Sequence, residues 1–127
     1  MVHKCVNFIQ CGQSNSNQTA AGKTPVEEFL DSLPDRHAQK VVWVFRLVER
    51  LDIVPQQYLK KLVGTENLWE IRAQIGGTSY RFLAFFDGPL LLMLTSGFSK
   101  KQQKIPAREI DLAQRRRTEY FQRRTKS

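Results

Sequence analysis

The stretch Leu68–Lys104, with the sequence LWEIRAQIGGTSYRFLAFFDGPLLLMLTSGFSKKQQK, decides the fold of this chain. It contains three apolar segments separated by two glycine-bearing turns, and these segments predict strands over 68–75, 79–86 and 90–95. Gly76-Gly77 and Asp87-Gly88 are dipeptides typical of β-hairpins. Because connections this short can join only antiparallel neighbours, the stretch predicts a three-stranded antiparallel meander.

Helices are predicted on both sides of this meander. Thr24, Pro25 and Glu27 form a capping box at the start of one helix, and apolar residues at spacings of three and four predict the next. The further elements are a strand over 3–11, helices over 25–33 and 35–51, and a basic helix over 107–124. We therefore predict a single α+β domain over 1–127, a small antiparallel sheet with two N-terminal helices and a C-terminal helix. The predicted order is β-α-α-β-β-β-α, with a flexible loop at about 12–23.

The composition excludes several classes of protein. No apolar run approaches the roughly 18 residues of a membrane span, and the N-terminus lacks the apolar core of a secretion signal, so we expect a cytoplasmic protein without a membrane partner. Cys5, Cys11, His3 and His37 are all the cysteines and histidines of the chain. Neither a metal site nor a cofactor is predicted from so small a set. The cysteines are expected to be reduced, with a disulfide as the alternative.

The positive charge of the chain is concentrated at its C-terminal end. The formal net charge is +8, and residues 1–99 carry ten Lys or Arg against nine Asp or Glu, whereas residues 100–127 carry ten against three. Such a basic block favours RNA, DNA or an acidic protein as partner, because attraction to phosphates is additive and largely independent of sequence. A solvated basic helix without a partner is the alternative.

Two arginines lie inside predicted strands of the meander. Arg72 and Arg81 both have apolar neighbours, and a guanidinium within a sheet is costly unless it is paired or lies on a functional face. One interpretation is a structural ion pair, for example with Glu70 or Asp87. The other is an anion site completed by lysines that follow the third strand, Lys100, Lys101 and Lys104, because arginine binds phosphate bidentately and lysine adds a point charge.

A cationic site without an obvious histidine suits RNA cleavage by the 2′-hydroxyl group. That reaction needs alignment, charge stabilisation and proton transfer, and alignment alone supplies about 7 to 11 kcal/mol, more than a missing acid or base forfeits. A lysine of the cluster, Tyr80 or Tyr120 could move the proton. On the second helix, His37 is expected at the surface rather than as a catalytic base. Trp43 is expected to serve packing rather than base stacking, because its helical face is otherwise plain.

Several strings along the chain resemble one known family. They are GKTPVEEFLDSLP, YLKKLVGTENLWEIR, SYRFLAFFDG, GFSKKQQKIPAREIDLAQRRR and TEYF, and together they resemble the phage-derived, HigB-like branch of the RelE/ParE toxin superfamily. The resemblance covers about Lys23 to Tyr120 and implies a small RelE-like α+β fold. It also implies a toxin of a type II toxin–antitoxin system, a ribosome-dependent endoribonuclease of messenger RNA. The implied partners are an antitoxin, often of the helix-turn-helix type, the ribosome and mRNA.

The resemblance also assigns residues. Arg81 in SYRF matches the central phosphate-binding arginine, Arg72 the basic position of the preceding strand, and Lys100 and Lys101 the basic positions after the last strand. These four are the expected catalytic residues, and the expected RNA-binding residues are Lys104, Arg108, Arg115, Arg116 and Tyr120. Ser96 departs from the pattern, because many relatives have histidine there and a hydroxyl cannot replace a titrating imidazole.

Two other functions remain open at this point. A ParE-like toxin would inhibit DNA gyrase without cleaving nucleic acid, and the basic final helix would then carry the effect. A degenerate phage-derived protein would bind only nucleic acid or its antitoxin.

Overall fold

The computed structural model describes residues 4–9, 24–100 and 104–126, with side chains described as far as Arg123. The predicted flexible loop at about 12–23 lies outside the described residues, which resume at Thr24. Lys101, one of the expected catalytic residues, also lies outside them.

The described residues form one five-stranded sheet and three helices. In chain order the elements are β1 Cys5–Phe8, α1 Pro25–Asp31, α2 Asp35–Arg50, β2 Leu59–Lys61, β3 Leu68–Ile75, β4 Thr78–Asp87, β5 Leu91–Lys100 and α3 Ala107–Lys126. The strand order across the sheet is β1-β5-β4-β3-β2. The predicted α+β class, the two N-terminal helices, the meander and the C-terminal helix are confirmed.

The sheet differs from the prediction in two respects. β1 pairs with β5 in parallel, with Cys5 opposite Leu91, so that only the β2–β5 part of the sheet is antiparallel. The chain returns to β1's neighbour only after two helices and three other strands, and a long crossover of this kind permits parallel pairing. β2 was not predicted, because three residues are too few to show an alternating pattern.

The last strand is longer than predicted. It continues through Gly97 to Lys100, with a register shift opposite Leu83 and Ala84: Ser96 pairs with Leu83 and Leu94 with Ala84, which leaves Thr95 as the extra residue. A bulge of this kind changes the alternation along a strand. Because β5 extends to Lys100, that lysine is part of the sheet itself and lies opposite Ser79.

Helices cover both faces of the sheet. α1 and α2 pack on the face that carries Ile71, Phe82 and Leu94, with Val41, Val44, Phe45 and Val48 of α2 buried against it. The predicted capping box is present, since Thr24 Oγ1 accepts from Glu27 N at 3.1 Å and Glu27 Oε1 accepts from Thr24 N at 2.9 Å. α3 packs on the other face, over a smaller cluster of Leu68, Leu83, Phe85 and Met93. Among the described residues, none of the helices combines the length and apolar character needed to cross a membrane.

Candidate functional site

The charged residues of the sheet lie at one end of the face that α3 partly covers. Residues directly opposite each other in an antiparallel ladder project to the same face. Arg72 lies opposite Arg81, which lies opposite Phe98, and Glu70 lies between Lys60 and Leu83 in the neighbouring row. Further along the same face, α3 covers the apolar residues of the sheet, which include Leu68 and Leu83. The charged residues therefore lie beside the start of α3, at the edge of the area that the helix covers.

A buried carboxylate holds the two arginines. Glu70 is 4% exposed, and its Oε2 lies 2.8 Å from Arg81 Nε, while its Oε1 lies 3.9 Å from Arg72 Nε. Two like charges directly opposite each other in a ladder destabilise it, so a carboxylate beside both offsets their repulsion. Of the two predicted ion-pair partners, Glu70 is the one found. Asp87 instead accepts a hydrogen bond from the Tyr120 hydroxyl at 2.7 Å.

Arg81 is the more deeply placed of the two arginines. It is 8% exposed, and its Nη1 donates to the Tyr80 carbonyl at 3.2 Å. Burial lowers the pKa of Arg81, an effect that the Glu70 charge opposes and the Arg72 charge reinforces. Arg72 is half-buried and donates from Nη1 to the Gln56 carbonyl at 3.3 Å. Arg81 thus has a carboxylate and a backbone oxygen as close partners, whereas Arg72 has a close backbone partner and a more distant carboxylate. Arg72, which lines the groove, therefore has further N–H groups for an anion.

Lys100 belongs to the same electrostatic cluster. Burial lowers its pKa, the positive charges of Arg81, Arg72 and Lys60 lower it further, and the Glu70 charge opposes them. Such a lysine loses its proton more readily than an ordinary surface lysine. It is therefore a candidate to exchange a proton with a bound ligand.

A groove of about 740 Å³ opens over these residues. Its charged side is formed by Lys60, Glu70, Arg72, Lys100 and Lys104, and its apolar side by Leu62, Val63, Ile105, Pro106, Ala107 and Ile110. Four cations against one carboxylate leave an excess of positive charge. Such a groove can accept a phosphate on one side and the flat surface of a base or sugar on the other.

The structure brings some of the predicted site residues together and separates others. Arg72, Lys100 and Lys104 line the groove, and Arg81 is joined to it through Glu70 without lining it. Lys101 lies outside the described residues. The remaining predicted RNA-binding residues are on α3: Arg108 is exposed in its first turn, Arg115 is exposed two turns later, and Arg116 and Tyr120 are half-buried.

Arg116 and Tyr120 hold α3 on the sheet. Arg116 Nη1 donates to the Thr95 carbonyl at 2.7 Å, and Tyr120 packs edge-on against Phe85 at 5.3 Å while its hydroxyl donates to Asp87. These contacts give both side chains a structural role, and their predicted RNA contacts stay a prediction. The departure Ser96 is 6% exposed, and its hydroxyl lies 3.4 Å from that of Thr95.

The sequence did not single out two residues of the groove. Lys60 was missed because β2 was missed. Glu70 was considered only as a structural partner, although its place between apolar positions of β3, two residues before Arg72, already put it on the face of the arginines. Among the described residues, no three or more His, Cys, Asp or Glu side chains are grouped so that they could hold a metal ion.

Comparisons with known proteins give a family match and likenesses to solved structures. The family described as "Phage derived protein Gp49-like (DUF891)" matches residues 28–118. Among solved structures, the chain is similar to a chain of the crystal structure of the archaeal RelE-RelB complex from Pyrococcus horikoshii OT3. The TM-score is 0.46 and the sequence identity 17%, over 80% of this chain and 98% of that chain. Curated protein sequences give no significant match. Glu70, Arg72, Arg81 and Lys100 all lie within the family match.

Proposed function

Because the chain belongs to the phage-derived Gp49-like protein family, we propose that it is the toxin of a type II toxin–antitoxin system and cleaves messenger RNA on the ribosome. Membership confirms the predicted recognition of a phage-derived family, and the RelE/ParE superfamily with its HigB-like branch belongs to the proposal. The observation that carries the proposed activity is the pair of arginines on Glu70 beside a groove with three lysines. Antitoxin, ribosome and mRNA are the partners that this function requires.

The proposed reaction is attack of a ribose 2′-oxygen on the adjacent phosphorus. The 2′-hydroxyl gives up its proton as the new bond closes a 2′,3′-cyclic phosphate, the bond from phosphorus to the 5′-oxygen breaks, and the departing oxygen takes up a proton. Negative charge builds on the non-bridging oxygens during the attack. Arg72, which lines the groove, stabilises that charge directly, and Arg81, which lies beside it in the ladder, adds its positive charge from behind the groove wall. These interactions are worth more here than in water because the arginine cluster is partly buried.

Glu70 is a positioning residue in this scheme. It holds Arg81 at 2.8 Å, so the guanidinium is oriented before RNA arrives and needs no reorganisation during the reaction. Lys100 moves a proton, since burial and the nearby positive charges lower its pKa and it belongs to the same charged cluster as Arg72 and Arg81. The message supplies its own nucleophile, so alignment by the ribosome contributes a large part of the rate.

Cleavage of a translated message tests the proposal. Arg81→Ala alone leaves the Glu70 carboxylate unpaired and risks unfolding, so the double variant Glu70→Gln/Arg81→Met is the sharper choice. We expect it to remain folded and to lose cleavage by about 10²- to 10³-fold, the usual effect of removing one donor to a developing oxyanion. Primer extension on a message translated in vitro measures the cuts, and far-ultraviolet circular dichroism measures the fold.

Two controls separate this chemistry from other effects. A message with a 2′-deoxynucleotide at the cut site should resist cleavage there while neighbouring sites are still cut. Lys4→Gln, on the opposite side of the sheet near α2, should leave cleavage unchanged. Full cleavage by the folded double variant would remove Arg81 and its carboxylate partner from the mechanism. Growth arrest without any transcript cleavage, accompanied by gyrase-linked DNA breaks, would support the ParE-like alternative instead.

A further inference from the structure

The outer face of α2 carries a second concentration of positive charge. The helix buries its apolar face against the sheet, and its other face presents basic residues at helical spacing, Arg36, Lys40, Arg46 and Arg50. Arg36, Arg46 and Arg50 are exposed. Trp43 lies at the centre of these four. We call the five residues the α2 outer face.

Trp43 is far more exposed than packing alone requires. It is 47% exposed, although the sequence analysis expected it to serve packing. Its ring meets Tyr58 edge-on at 6.1 Å between centroids, and Lys40 Nζ lies 4.4 Å from the centre of the ring. The face around Trp43 is basic rather than plain, so the reason given for expecting packing alone does not hold. An indole held by a neighbouring ring and left half open is a preformed surface for another flat group.

The charges of the α2 outer face are not neutralised within the fold. Among the residues that the structure describes, Arg36, Lys40, Arg46 and Arg50 make no ion pair. The carboxylate of Glu49, the acidic residue nearest to them on the last turns of α2, accepts a hydrogen bond from Val6 N at 2.8 Å and so is engaged with β1. The face therefore attracts anions over a length of almost four helical turns.

A short segment of backbone joins this face to the groove. Tyr58, which contacts Trp43, accepts a backbone hydrogen bond from Arg72 N at 2.8 Å, and Gln56 O accepts from the Arg72 side chain. β2 follows directly as an edge strand, with Lys60 on the side of the groove and Lys61 exposed. Positive charge therefore continues from the groove around the open edge of the sheet to α2.

We propose that the α2 outer face is a second binding surface for single-stranded RNA, in which one base stacks on Trp43 and the flanking phosphates contact its basic neighbours. Exposed aromatic rings between cations are the usual surface for single-stranded nucleic acid, since every base can stack and every linkage is charged. The choice of RNA over another polyanion rests on the proposed function. Lys40 has a flexible side chain that can move from the ring to a phosphate.

The two tryptophans of the chain permit a direct test. Trp69 is the other one, and it is half-buried and edge-on to Phe86 at 5.5 Å. The variant Trp69→Phe leaves Trp43 as the single tryptophan. We expect a 12-nucleotide single-stranded RNA to quench its fluorescence at the same concentrations at which fluorescence anisotropy of the labelled RNA shows binding. The variant Trp43→Phe, which retains only Trp69, should show no comparable quenching.

Affinity and salt dependence provide the second readout. Trp43→Ala should weaken RNA binding by about 5-fold or more, the low end of what one stacked base contributes. Arg46→Gln should reduce the slope of log affinity against log salt by about 0.7, the value for one phosphate contact on a single strand. Arg123→Gln removes the same charge from an exposed position on α3 and should leave the quenching of Trp43 unchanged.

Three outcomes would overturn the proposal. They are RNA binding without quenching of Trp43, no RNA binding at low salt, and equal quenching by a 12-residue polyglutamate. An equal-length DNA that binds as tightly would make the surface one for single strands in general and would refute the assignment to RNA. Quenching and anisotropy report binding alone, so a protein that binds RNA through Trp43 but cuts no translated message refutes the proposed function and leaves this surface standing.

Discussion

Replacement of Glu70 by glutamine is the most informative perturbation of the site. The substitution keeps the shape of the side chain and removes a charge that lies 2.8 Å from Arg81 Nε and 3.9 Å from Arg72 Nε, at 4% exposure. At an effective dielectric constant of about 20, the nearer contact alone is worth roughly 6 kcal/mol of Coulomb energy. The carboxylate's lost hydration offsets part of it, so we expect the free energy of unfolding to fall by about 3 to 5 kcal/mol.

Urea denaturation followed by tryptophan fluorescence measures this loss, and the thermal midpoint should fall by about 10 °C or more. The double variant Glu70→Gln/Arg81→Met provides the control, since it removes both charges of the closer ion pair and leaves only the half-buried Arg72 without its carboxylate. We expect it to be clearly more stable than Glu70→Gln alone, with a coupling energy of about 2 kcal/mol or more. Additive effects of the two substitutions would refute the ion pair as a stabilising contact.

Inorganic phosphate extends the same experiment to the ligand. In Glu70→Gln the two arginines lose their carboxylate partner, so they should bind an anion more tightly. A phosphate that binds only the folded state stabilises that state, and the effect grows with phosphate concentration. Phosphate at about 100 mM should therefore raise the urea midpoint of Glu70→Gln more than that of the wild type, with chloride at equal ionic strength as the reference. Equal shifts in both proteins would contradict the idea that Glu70 occupies the place of an anion.

Two further predictions concern Lys100 and Gly97. Lys100→Gln should lower cleavage yet stabilise the free protein by up to about 1 kcal/mol at pH 7. Because the folded state holds the lysine pKa below its value of 10.5, the penalty of the charge is fully present below the folded pKa. This penalty disappears as the pH rises to the pKa of the unfolded state, so the difference in urea midpoint between Lys100→Gln and the wild type should shrink towards pH 10.5. A difference that stays constant with pH would argue against the charge of Lys100 as its cause. Gly97→Ala would place Cβ 2.5 Å from the buried Phe82 ring and 2.9 Å from Phe29, which should cost about 1 to 3 kcal/mol in the same assay. Gly77→Ala, with nothing within 4 Å, should cost little, and equal losses at both positions would show that the close contact is not the cause.

The elements that sequence alone could predict are those whose signals are local. The capping box at Thr24, the spacing of apolar residues along α2 and the turns at Gly76 and Gly88 are all read within a few residues, and the structure has each of them. The parallel pairing of β1 depends on β5 at the other end of the chain. β2 is too short to show a period. Neither could be derived from a local pattern.

For the candidate site, too, local signals could be interpreted from the sequence and long-range contacts could not. The arginines were visible because a charge within an apolar strand is costly wherever it lies, so Arg72 and Arg81 required an explanation. Which acidic residue met them could not be decided from sequence, since Glu70 and Asp87 were both near in the chain. The register places Glu70 beside both arginines, and α3 brings Tyr120 to Asp87. The end of β5 was misplaced because a bulge at Thr95 hides the continuation of the strand.

The parallel pairing of β1 with β5 has a consequence for the order in which the chain is made. Cys5 is synthesised long before Leu91, its neighbour in the sheet, and the other edge of β1 has no strand among the described residues. The helices and the β2–β4 part of the sheet can form while β1 still has no ladder to join, since contacts between distant residues form late. Placement of β1 therefore awaits synthesis of β5, so the sheet is completed only after the helices α1 and α2 and the strands β2–β4 have been made.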